Sequence, residues 1–110
     1  MRLSAIVSFL ILSSVEPIMA QNAYVRLGKQ AFMDGDFKAA VTQLEKAYLI
    51  DSTNSNALFM LGYSYYHSDN YAKSIATFTK QIAISPTDAS AYYYRARAKG
   101  YMGKDGQLQR

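Results

Sequence analysis

Few side chains in this sequence are able to do chemistry. His67 is the only histidine and there is no cysteine, so thiol catalysis, thiolate zinc sites, disulfide frameworks and multi-histidine metal centres are excluded. Ser64, Ser68 and Asp69 stand next to His67 in sequence. A nucleophile–base–acid device is assembled by converging geometry, however, and nearness along a chain does not supply it. His67 therefore reads as a groove or surface residue. Asp34 and Asp36 look like the start of a calcium loop, but the further alternating oxygen ligands and the closing Glu are missing. No glycine-rich loop suited to phosphate is present. We expect no enzyme activity, no cofactor and no metal. The unusual feature is tyrosine, which supplies 10 of the 15 aromatic residues, alongside 12 Lys+Arg against 8 Asp+Glu. Such a composition favours recognition by ring packing and charge. The basic residues are spread along the chain rather than clustered, which argues against nucleic acid.

The elements that must position these residues follow an N-terminal segment of a different kind. Met1-Arg2 is a charged start, Leu3 to Leu12 is an apolar run broken only by Ser, and Glu16, Pro17 and Ala20 follow. That order predicts a secretory signal over residues 1–20, cut after Ala20 to leave Gln21 first. A spanning helix needs about 20 mostly apolar residues, and Glu16-Pro17 is expected to interrupt this one early. The expected location is periplasmic or secreted, with no integral membrane segment after cleavage. Residues 21–110 keep the net charge of +4, because the segment removed carries one Arg and one Glu.

The remainder repeats itself. A stride of 34 residues links Gly28, Gly62 and Ala96; Ala23, Ala57 and Ala91; and Tyr24, Leu58 and Tyr92. The same stride pairs Leu27 with Leu61, Phe37 with Tyr71, Leu44 with Phe78 and Ile50 with Ile84. Turn residues keep the register as Gly35-Asp36, Asp69-Asn70 and Gly103-Lys104. Small, large and turn positions thus share one period, the mark of helix–turn–helix units that stack. Helical spacing predicts helices over 23–33, 37–50, about 56–67, about 71–84 and about 89–102. Gly28 and Ala40 should let backbones approach, with Leu27 and Leu44 filling the space around them. Asp36 should cap the second helix, and the polar run 51–56 should connect the units.

This register resembles the tetratricopeptide repeat family. Residues 21–54 carry its pattern as Tyr24, Leu27-Gly28, Ala40, Leu44 and Ala47. Residues 55–88 carry it as Leu58, Leu61-Gly62, Tyr65, Tyr71, Phe78 and Pro86. Residues 89–110 carry Tyr92, Ala96 and Gly103, as a partial third repeat or a capping helix with a C-terminal tail. The resemblance implies an all-α solenoid of antiparallel helix pairs wound as a right-handed superhelix. Two departures stand out. Gln81 occupies a small-residue position and should loosen repeat two. Lys99 replaces a large buried residue in repeat three. Arg95 and Lys99 would suit a face with no helix after it, although an Arg at the Arg95 position also occurs in complete repeats of the family.

The resemblance further implies a concave groove lined by the first helix of each pair. Its expected residues are Arg26 and Lys29 in repeat one, Phe59, Tyr63 and Tyr66 in repeat two, and Tyr93, Tyr94 and Arg97 in repeat three. Arg26, Lys29 and Arg97 would favour a partner bearing carboxylates. The family's carboxylate clamp for chaperone tails is absent, since Val25, Lys29, Met60, Ser90 and Tyr94 stand at its positions. The expected function is a non-catalytic scaffold of a bacterial cell envelope that binds a protein or peptide. The alternatives are a glycan-binding envelope protein, because tyrosine rings stack on sugars, and a fragment of a longer repeat array.

Overall fold

The computed structural model describes the backbone of residues 2–108 and the side chains of residues 16–103. Five helices follow one another, α1 (Arg2–Met33), α2 (Phe37–Ile50), α3 (Ser55–His67), α4 (Tyr71–Ile84) and α5 (Ala89–Leu108), with no strand among the described residues. Each helix packs on the next, α1 also reaches α3, and α3 reaches α5. This is an all-α solenoid of antiparallel pairs.

The helix starts are set by short polar side chains that accept from otherwise unpaired backbone N–H groups. Asp36 accepts from the Ala39 amide at 3.1 Å, Asn54 from Ala57 at 3.1 Å and Asn70 from Lys73 at 3.3 Å. The two hairpin turns lie one stride apart and use the same left-handed residue, Gly35 at φ +77° and Asp69 at φ +62°. Asp69 takes this strained conformation while its carboxylate accepts from the Tyr71 hydroxyl at 3.0 Å.

The hairpins close where the repeat places glycine. A Cβ on Gly28 would lie 2.5 Å from Leu44 Cγ, and one on Gly62 would lie 2.9 Å from Phe78 Cε1. Leu44 and Phe78 are buried at these approaches. The 34-residue stride therefore marks equivalent contacts in two successive hairpins.

Several local expectations need correction. Gln81 does not loosen its repeat: it is fully buried, and its side-chain amide donates to Asp88 at 2.7 Å. Ser74, which stands where the first repeat has Ala40, donates to the Gly62 carbonyl at 2.8 Å. A polar side chain at a tight approach is tolerated when it finds such a partner. Leu27 does not fill a core but is 48% exposed, whereas Leu61 one stride later is 5% exposed. Leu61 is covered by the helix pair before it, and no such pair lies against Leu27 among the described residues. Tyr92 is likewise exposed, because no described helix lies where α2 and α4 cover Tyr24 and Leu58. Arg95 turns back to α4, where it donates to Thr79 at 3.3 Å, and only Lys99 stays on the open side. Pro17 does not break α1, which runs through it and through the expected cut after Ala20. The apolar run of the expected signal has side chains outside the described residues. Among the described residues no helix is long and apolar enough to cross a membrane.

Candidate binding groove

The first helices of the pairs, α1, α3 and α5, form one continuous inner surface, and its two ends differ. At the N-terminal ends of α3 and α5 lies an open recess of about 450 Å³. Val25 and Lys29 of α1, Asn54, Asn56, Phe59 and Met60 around α3, and Asp88 and Ser90 at the start of α5 line it. Its polar edge is built from capping chemistry. Asn54 caps α3, and Asp88 accepts from the Ser90 amide at 3.1 Å while also receiving Gln81. Its floor is Met60, which belongs to the same buried cluster as Ala40, Leu44 and Leu61.

At the other end the inner surface is filled with rings. Tyr63 lies 5.2 Å from Phe32, 4.9 Å from Tyr94 and 4.4 Å from the His67 imidazole, centroid to centroid. His67 also stacks on Phe37 at 4.7 Å. Tyr66 is buried and contacts Tyr94, Tyr71 and Tyr101 at 5.8–6.0 Å. These tilted and edge-on arrangements are the ones that ring quadrupoles favour. Burial raises the Tyr63 hydroxyl pKa above 10.0, assisted by Tyr94 and Tyr66. Burial also lowers the His67 pKa below 6.5, Arg97 adds to that, and Asp69 opposes it.

Arg97 stands on this ring floor. Its Nε donates to the Tyr66 hydroxyl at 3.0 Å and its Nη1 to the Tyr93 hydroxyl at 3.1 Å. The guanidinium carbon lies 5.6 Å from the Tyr93 ring centroid. The two hydroxyl contacts, Tyr66 foremost, hold the group charged. The result is an exposed cation held by two hydroxyls, with no carboxylate paired to it among the described residues.

The eight residues expected from sequence are thus distributed unevenly. Lys29 and Phe59 line the recess. Tyr63, Tyr66, Tyr93, Tyr94 and Arg97 meet in the ring-filled end, where Tyr66 is buried, Tyr63 and Tyr94 are half-buried and Tyr93 is exposed. Arg26 is exposed and lies outside the recess. Asn54 and Asp88 were not singled out as groove residues. Their signal was their type at a helix start, which reads as capping and gives no hint of a second role. Among the described residues no cluster of His, Asp or Glu is suited to a metal ion.

A stack of helical hairpins with an open inner recess and a charged, aromatic flank defines a class of repeat scaffolds built to hold another chain. A family model described as tetratricopeptide repeat matches residues 31–100, and the chain belongs to that family. Repeats of this family generally mediate protein–protein interaction. No match was found among curated protein sequences.

Proposed function

We propose that this chain is an exported, non-catalytic docking protein of a bacterial cell envelope that holds a peptide or protein partner in its concave groove. The partner's acidic groups meet Lys29 and Arg97. The supporting observation is the recess of about 450 Å³ formed by three helices, on the same inner surface as a guanidinium already oriented by two tyrosine hydroxyls at its other end. A cation held in place loses little freedom on meeting a carboxylate, which favours binding. The charged start and short apolar run before Ala20 support export.

Asn56→Arg places a long side chain at the mouth of the recess from an exposed position. Affinity capture from the envelope with the wild type and with this variant tests the groove. A partner recovered by the wild type should be depleted with the variant at unchanged helicity, and equal recovery would overturn the groove. N-terminal sequencing of the exported product should begin at Gln21. A product retaining residues 1–20 would overturn cleavage.

One observation favours a second reading. Tyr93 is 55% exposed, the most open ring beside the groove, and an exposed tyrosine face stacks on sugars. A peptidoglycan pull-down separates the two readings, because a peptide binder stays in the supernatant.

A further inference from the structure

The outer surface carries a second feature that the groove does not use. α2 and α4 both pack on α3 without a close approach of their own backbones, so a trough runs between them with α3 as its floor, bridged at one end by Tyr48 and Lys80. It contains two adjoining recesses of about 200 and 210 Å³, which share Glu45, Tyr65 and Lys73. In the first, the floor is Leu58, Leu61 and Ala76, and Tyr48 and Lys80 close the far end. The second ends at Lys38, Ser68 and Asn70.

The charges of the trough are arranged unequally. Lys73 Nζ lies 5.7 Å from the centroid of the Tyr65 ring. Lys80 Nζ lies 4.7 Å from that of Tyr48 and donates to its hydroxyl at 2.5 Å. Among the described residues neither is paired with a carboxylate. The one acid of the trough, Glu45, is engaged by the Tyr65 hydroxyl, whose own pKa is raised by burial first and by Glu45 second. Ser68 lines the second recess, and its Oγ is buried behind that lining with no hydrogen-bond partner among the described residues. Two oriented ammonium groups, a third lysine and an apolar floor therefore lie along one channel.

We infer that the trough between α2 and α4 is a second binding site, for an extended acidic segment of a partner protein that seats one aliphatic side chain on Leu58, Leu61 and Ala76. Lys73 and Lys80 receive the acids on either side of that side chain. The size sets the occupant. Pockets for whole small molecules run from about 300 Å³ upward, so neither recess alone takes a ligand body, and the two in series suit successive side chains of one segment. A long acyl chain finds no room on a floor of three small or aliphatic residues. The opening of one recess into the next suits a chain passing along the surface.

The test titrates the isotope-labelled full chain with an acetylated, amidated Glu-Leu-Glu-Leu-Glu peptide and follows amide resonances. Shifts at Leu61, Ala76 and Thr77 are expected. Lys73→Gln with Lys80→Gln should lower affinity about tenfold or more, the scale of losing charge-assisted contacts. Ala76→Glu, at an exposed position on the wall, should abolish binding. Asn56→Arg on the opposite side of α3 should leave it unchanged, which keeps this site distinct from the groove. The assignment is overturned if the shifts fall on Asn56, Phe59 and Ser90 or are absent. It is also overturned if a Gln-Leu-Gln-Leu-Gln peptide binds equally well, if the double lysine variant or Ala76→Glu retains full affinity, or if Asn56→Arg loses it.

Discussion

The two ends of the inner surface are made by the same three helices and diverge in what their side chains leave between them. At one end Phe32, Tyr63, Tyr66 and Tyr94 are long enough to meet across the helix spacing, and they close it with ring contacts of 4.9–6.5 Å. At the other end Val25, Asn56 and Ser90 are too short to meet, and a recess remains. The helix packing that sets the spacing is common to both. Side-chain reach alone separates a wall from a vacancy, so the filled end should govern stability and the open end should govern binding.

The sharpest way to break that contrast is Tyr66→Ala. The ring is 8% exposed and packs against four tyrosines, so its loss should cost about 3–5 kcal/mol, read as a large fall in the denaturation midpoint. An unchanged midpoint would mean that the filled end is not structural. Asn56→Arg should do the opposite, abolishing partner capture while stability moves by no more than about 0.5 kcal/mol. Arg97→Lys keeps the charge but loses the planar fork that reaches both hydroxyls. Partner affinity should fall about tenfold with little change in melting, as followed by titration calorimetry. The smallest effect concerns His67. Its folded-state pKa lies below 6.5, so the unfolded chain takes up the proton more readily. The stability this contributes is complete above pH 6.5 and declines as pH falls below it. Exposure of the ring keeps the effect small, and His67→Gln should flatten the melting-temperature profile between pH 7.5 and 5.5.

The stack was legible in the sequence because a stride of 34 residues records contacts that the hairpins make twice, Gly28 on Leu44 and Gly62 on Phe78. The caps were legible for a local reason: Asp36 bonds only three residues ahead. What periodicity did not reveal depends on neighbours elsewhere in the chain. Tyr66 and Tyr93 share an inner face in the sequence pattern, yet Tyr66 is buried under the rings of Tyr94 and Tyr101 while Tyr93 is 55% exposed and holds Arg97 at the surface. The position of Leu27 reads as core in a repeat and is open here, because the pattern carries no information about whether a neighbouring pair covers it, and none does among the described residues. Gln81 looked like a packing fault, since its partner Asp88 lies seven residues on, beyond the helix whose spacing was being read.

The wall between the two cavities is only one helix thick. Leu58, Leu61 and Tyr65 face the outer trough, while Asn56, Phe59 and Met60 of the same α3 face the inner recess. A roll of this rod would narrow one side and widen the other. If such a roll links the two occupancies, thermodynamic reciprocity makes the effect of each guest on the other equal in size and sign. Thirteen residues would then act as a rocker between an inside guest and an outside one.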